Sequence, residues 1–157
     1  MKAVKLLTYI VFVLFVVACG NTAIYEKFEE IPEANWFHKH TAKLTFEITD
    51  TTKKYDLIML VRHTTDFPYM NFWVNTNTVF PDGTSKEQKI DLPMADKTGK
   101  WFGKGFGNIK TNEVVIQQNA IMPQVGEYTL KINQLMRYEP VSDISDIGLR
   151  IEPSEVK

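Results

Sequence analysis

Lys43-Leu44-Thr45-Phe46-Glu47-Ile48-Thr49 alternates polar and apolar residues without a break. Successive side chains of a β-strand leave on opposite faces, so Leu44, Phe46 and Ile48 share one face and the polar residues the other. The stretch therefore predicts a half-buried strand. Glu127-Tyr128-Thr129-Leu130-Lys131-Ile132-Asn133 repeats the pattern, with Tyr128, Leu130 and Ile132 inward. Two such strands about 80 residues apart need other strands to cover them.

Working outward, Asp50-Thr51-Thr52-Lys53-Lys54 supplies a polar turn. Leu57 to Val61 is apolar on both parities, so it reads as a central strand covered on both sides. Asn71 to Phe80 is rich in β-branched and aromatic residues and ends at Pro81-Asp82-Gly83, a strong turn signal. Lys86 to Leu92 reads as the returning strand, at an exposed edge because of its lysines. Lys100 to Ile109, Glu113 to Ile121 and Ile147 to Ile151 complete the set, with Pro123-Gln124-Val125-Gly126 as a turn. No sustained 3.6-residue apolar period follows residue 19. The pattern predicts an all-β chain forming a single antiparallel β-sandwich, immunoglobulin-like or jelly-roll-like in its winding. Asn21 to Ala34 reads as tether, first strand or both, with Tyr25 and Phe28 as its first apolar anchors, and 153–157 as a frayed tail.

The only cysteine, Cys19, stands in Val16-Val17-Ala18-Cys19-Gly20. Lys2 and Lys5 precede an apolar run from Leu6 to Ala18, relieved only by Thr8 and Tyr9. A charged n-region and a short h-region are the anatomy of a secretory signal, and the run is shorter than the ~20 residues of a spanning helix. A cysteine at the cut resembles a bacterial lipobox. Residues 1–18 are then a lipoprotein signal peptide, Cys19 is lipidated, and 19–157 form the β-sandwich domain. Acyl chains at ~0.8 kcal/mol per buried methylene would hold the chain to a membrane. Committing Cys19 to lipid leaves no thiol for a disulfide, a thiolate metal site or a nucleophile.

The full chain carries a formal charge of −1, with 18 basic and 19 acidic residues. Neither a basic stripe for nucleic acid nor a polybasic run for anionic lipid is present, which excludes a nucleic-acid role. His38-Lys39-His40 puts two imidazoles on one side of an extended chain, and His63 could join them in a metal-dependent enzyme. No third ligand is tied to the pair by spacing, so the expectation is no metal, no cofactor and no small-molecule substrate. A Gly-x-Ser-x-Gly elbow is absent, and the expectation is a protein that is not an enzyme.

Two stretches stand out in composition. Gly99-Lys100-Trp101-Phe102-Gly103-Lys104-Gly105-Phe106-Gly107 reads as a bulged or sharply bent strand whose bare glycine face admits a neighbouring backbone or aromatic ring, with a partner groove as the alternative. Asp66-Phe67-Pro68-Tyr69-Met70-Asn71-Phe72-Trp73 gathers four aromatics around a proline. Those rings either plug one end of the sandwich or present an anchor patch for a partner, with Phe67, Tyr69, Phe72 and Trp73 as the binding residues. Trp36, Trp73 and Trp101 could instead be stacking platforms of a glycan-binding lipoprotein.

Taken in order, several segments resemble the gliding-motility lipoprotein family of the GldH type. They are the lipobox at Cys19, Phe46-Glu47-Ile48-Thr49-Asp50-Thr51-Thr52, Asp66-Phe67-Pro68-Tyr69-Met70-Asn71, Pro81-Asp82-Gly83 and Gly99-Lys100-Trp101-Phe102-Gly103-Lys104-Gly105. Gly126-Glu127-Tyr128-Thr129-Leu130, Gln134-Leu135-Met136-Arg137 and Asp146-Ile147-Gly148-Leu149-Arg150-Ile151 continue the series. The resemblance implies a non-enzymatic envelope lipoprotein working with other gliding-motility proteins and the linked protein-secretion apparatus, and it carries no catalytic or ligand residues. An outer-membrane anchor is favoured. Gly20-Asn21-Thr22-Ala23 has no acidic cluster, which favours a domain facing the periplasm.

Overall fold

A computed structural model describes residues 23–154. Ten strands follow one another: β1 (Tyr25–Glu30), β2 (Asn35–Trp36), β3 (Ala42–Ile48), β4 (Lys54–Thr64), β5 (Asn71–Val79), β6 (Ser85–Pro93), β7 (Ile109–Ile121), β8 (Gly126–Gln134), β9 (Val141–Ser142) and β10 (Ile144–Pro153). A single 3-10 turn, Pro32–Ala34, precedes β2. One four-stranded sheet runs β1-β10-β4-β7, the other β3-β8-β5-β6, and β2 pairs with β9 in a short ribbon.

All the pairings are antiparallel. Among the eight long strands, the first pairs with the last, the second with the seventh, the third with the sixth and the fourth with the fifth. That nesting is one long antiparallel ribbon rolled on itself, the jelly-roll winding rather than the immunoglobulin one.

The alternating strands sit as their pattern requires. Leu44, Phe46 and Ile48 of β3 and Tyr128, Leu130 and Ile132 of β8 are buried between the sheets, and the Phe46 and Tyr128 rings stack at 5.5 Å. The opposite sheet supplies Leu57, Met59 and Val61 from β4 and Ile147, Leu149 and Ile151 from β10. β6 is an exposed edge, as its lysines predict.

Of the readings open for 21–34, the strand is present: Tyr25–Glu30 pairs with β10 from Tyr25↔Ile151 to Glu30↔Asp146. Two differences from the sequence expectation are physical. Pro153 still belongs to β10, and Ser154 bonds to Asp56 through its hydroxyl (2.6 Å) and to the Lys54 carbonyl through its N–H (2.8 Å). Lys100 to Gly107 is not a strand but a loop, pinned by the bridges Ala95↔Trp101 and Lys104↔Thr111. Gly107 has φ of +59°, outside the strand region, and a Cβ on Gly105 would fall 2.2 Å from the Ile109 carbonyl oxygen. The close backbone approach expected of these glycines is present, but it closes a loop rather than bends a strand.

The winding gives the sandwich two unlike ends. At one, Ile24, Asp50, Lys53 and Pro153 line a shared hollow, and the β5–β6 and β7–β8 turns lie at the same ends of their strands. Asp50 and Asp82 close the turns here, each accepting from the N–H and hydroxyl of the threonine two residues on, at 2.9 and 2.6 Å. At the other end lie the loops 37–41, 65–70, 94–108 and 135–140.

Candidate functional site

The second end holds the aromatic residues. β4 delivers His63, and the loop after it turns at Thr64, whose hydroxyl bonds to the Asp143 carboxylate at 2.8 Å. Phe67 is buried, with its ring 5.5 Å from Tyr69, 5.7 Å from His63 and 6.0 Å from Phe72. Phe72 is buried in turn against Trp36, at 5.6 Å. Strand alternation then turns Trp73 outward, 40% exposed. Tyr69 is half-buried and stacks on Tyr138 at 5.9 Å with the planes 16° apart. Met70, Leu135 and Tyr138 are exposed beside it.

The four candidate binding aromatics therefore divide. Phe67 and Phe72 plug the end of the sandwich and offer no surface, whereas Tyr69 and Trp73 reach solvent. Tyr138 and Leu135 complete their patch, and sequence reading missed both. Leu135 is the sheet neighbour of Trp73, its N–H bonding the Trp73 carbonyl at 2.8 Å. The signal was the run Gln134-Leu135-Met136, which carries the alternation of β8 past its polar end.

The three tryptophans do not form a platform. Trp36 is fully buried and its indole N–H donates to the His40 carbonyl at 2.9 Å. Trp101 packs on His63 at 4.7 Å. The histidines are also apart in character. His38 is exposed and faces the Glu139 carboxylate at 3.7 Å, while His63 is buried among rings. No group of three or more His, Cys, Asp or Glu side chains able to hold a metal occurs among the described residues. Cys19 lies outside them.

His63 has a consequence for stability. Its Nδ1–H donates to the Thr64 carbonyl at 2.8 Å, and Nε2 is buried without a partner. Burial pushes its pKa down; the Thr64 contact opposes this and nearby Lys110 adds to it. Above about pH 6.5 both folded and unfolded His63 are neutral. Below it the unfolded chain takes a proton that the folded one refuses, so stability falls with pH. The urea midpoint of the wild type is expected to drop between pH 7.5 and 5.5. His63→Phe should flatten that drop, and a slope equal to wild type would assign the effect elsewhere.

The sequence from residue 23 to 151 matches the family described as GldH lipoprotein. The chain belongs to the GldH lipoprotein family. The resemblance drawn from the ordered motifs is thus the family itself. A relative called gliding motility lipoprotein GldH homolog, from Christiangramia forsetii, is 28% identical over 98% of each chain. Gliding motility lipoprotein GldH of Flavobacterium johnsoniae is 24% identical over 88% of this chain and 89% of its own. Solved structures overlap more loosely. An infectious bursal disease virus structure, of the Gx strain, aligns with 83% of this chain and 30% of its own, at 13% identity and a TM-score of 0.36. A family 16 carbohydrate binding module aligns with 92% of this chain and 99% of its own, at 11% identity and a TM-score of 0.27. As a GldH lipoprotein the chain is a membrane-anchored protein of the cell envelope. Its described residues contain no helix long and apolar enough to cross a membrane.

Proposed function

We propose that this GldH lipoprotein is a non-enzymatic structural or assembly component of the gliding-motility machinery and the linked protein-secretion apparatus. Acyl chains on Cys19 hold it, in the outer membrane and facing the periplasm, and the patch of Tyr69, Trp73, Leu135 and Tyr138 receives a protein partner. The opposition of the two ends supports this reading most. Ile24 bonds to Ile151 at the end carrying the Asp50 turn, so the chain leading back to Cys19 departs there. The aromatic patch lies at the far end of strands up to 13 residues long. An anchor at one end leaves the patch of Tyr69, Trp73, Leu135 and Tyr138 at the other open to a protein partner.

Aromatic anchors that sit in a partner's pocket carry ~2 kcal/mol or more of an interface. Trp73→Ala with Tyr138→Ala should therefore weaken partner capture about thirtyfold or more, since 1.4 kcal/mol is about tenfold. The check is a photocrosslinker placed at Tyr138 in gliding cells. It should give a discrete adduct with an envelope protein, whereas one at Asp50 should not. The reading fails if the double variant keeps its melting temperature, captures the same partner at wild-type yield and leaves gliding intact.

A further inference from the structure

Phe106 is 98% exposed and Phe102 53% exposed, both on the loop between β6 and β7. A fully exposed phenylalanine on a mobile loop would mean little, but this loop is built. Gly103 lies against the Thr111 backbone, where a Cβ would meet carbonyl atoms at 3.0 Å, and Gly105 lies closer still to Ile109. Lys104 and Thr111 exchange both backbone hydrogen bonds, at 3.0 and 2.8 Å. The Lys110 ammonium donates to the Gly107 carbonyl at 3.1 Å and reaches that of Gly105 at 3.4 Å. The Phe106 ring is thus held out into solvent by a closed backbone.

The charge around it is unlike that of the rest of the molecule. Residues 94–110 contain Lys97, Lys100, Lys104 and Lys110 against the single acid Asp96, while the remainder of the described chain has more acids than bases. Spaced along the sequence these lysines form no basic run, but Lys97, Lys100 and Lys104 stand on this one loop and Lys110 at the start of β7. The flanks of Phe106 are glycines, so the tip offers a partner protein almost no side chains for a complementary rim. A lipid surface requires none: an apolar ring enters the headgroup region while lysines reach the phosphates.

The edge strand that follows continues the theme. β7 starts beside this loop and ends at the anchor end, where Ile121 is 69% exposed and Val125 60%. One side of the sandwich therefore carries exposed apolar residues at both of its ends.

We propose that this loop is a second membrane contact, inserting Phe106 and Phe102 into the anionic surface of the bilayer that holds the anchor. The domain then lies on its β6–β7 side. The proposal rests on lipidation of Cys19 as set out above. The linker from Cys19 to Ile24 spans at most about 18 Å, and β4, with 11 residues, is about 36 Å long. A tether shorter than the domain keeps the loop within reach of the same surface.

The test uses the full lipidated chain in vesicles of phosphatidylglycerol and phosphatidylcholine, with mass spectrometry first reading the acyl chains. Absence of acylation would remove the anchor reading and this proposal with it, whereas an acylated chain whose loop stays in water would remove this proposal alone. Cys19 being blocked by lipid, Phe106→Cys supplies the single reactive thiol for an environment-sensitive fluorophore. Glu47→Cys, on the opposite edge strand β3, is the control. The label at 106 is expected to brighten several-fold and to be quenched by brominated lipid in the host bilayer, with the label at 47 unchanged. Lys100→Glu with Lys104→Glu should abolish the brightening while leaving the melting temperature unaltered. The proposal is overturned if the label at 106 stays in water, or brightens equally in pure phosphatidylcholine. It is also overturned if quenching comes only from added second vesicles, or if shielding needs an added envelope protein.

Discussion

Phe72→Ala is expected to remove about 3–5 kcal/mol of folding stability, the range for truncating a buried aromatic. Trp73→Ala, one residue along the same strand, is expected to remove less than about 1 kcal/mol. Phe72 is fully buried between Trp36 and Phe67, so its deletion opens a cavity that the two remaining rings cannot fill by small adjustments. Trp73 points outward, 40% exposed, and the hydrogen bonds it makes are from its backbone. Its N–H meets the Met136 sulfur at 3.4 Å and its carbonyl accepts from Leu135, and alanine keeps both. Urea unfolding with an unchanged slope should show the midpoint fall for the first variant alone. Equal losses would mean that Trp73 is part of the core and that the partner patch has lost its centre.

That pair also shows how much of the molecule the sequence disclosed. Sheet membership and facing were legible wherever one face meets the core and the other meets water, as in β3 and β8, because the period-two pattern is then complete. The central strand was legible for a different reason. Leu57, Met59 and Val61 enter the core, whereas Ile58 and Leu60 are buried on the outer face. Among the described residues their cover is no second layer of structure. Phe28 lies across Gly148, where a Cβ would meet its ring at 2.8 Å, and Gly148 stands in register between Phe28 and Leu60. The Arg62 guanidinium closes over that ring at 4.3 Å. An apolar run at both parities reports burial, but not what does the burying.

The aromatic stretch from Phe67 to Trp73 shows the limit. Composition alone could not divide its rings, because the division depends on where Asn71 begins β5 and thus on which parity faces inward. Once β5 pairs with β8 and β6, Phe72 and Trp73 have opposite fates. Tyr138 was invisible as a site residue because its partner Tyr69 stands about seventy residues earlier, and only the roll of the chain brings the two rings together. The same long-range pairing decides jelly-roll over immunoglobulin winding. The glycine loop misled for a local reason: alternating glycines satisfy a strand's periodicity, yet they also permit the positive φ and backbone contacts that end one.

Cys19→Ser is expected to change membrane association by orders of magnitude without changing the fold. A serine oxygen is not the thiol that a lipobox presents for acylation. A single myristoyl chain gives a partition constant of only about 10⁴ M⁻¹, so two or more chains separate permanent anchoring from none. Nothing in the sandwich compensates for that loss. The lysine-rich loop supplies only two exposed phenylalanines and a local excess of positive charge, enough to orient a tethered domain but not to hold a free one. The folding free energy should be untouched, because the position precedes Ala23, where the family match begins, and β1 starts only at Tyr25. Radiolabelled palmitate should mark the wild type alone. After a carbonate wash the wild type should stay with membrane, and any processed serine variant should leave it with an unchanged melting curve. A variant retained by its uncleaved apolar run, Leu6 to Ala18, would be recognised by its larger mass and lack of label. A wild type that takes up no palmitate, or a serine variant that does, would remove the anchor. The opposition between a lipid-anchored end and the end that carries the aromatic patch would then lose its basis.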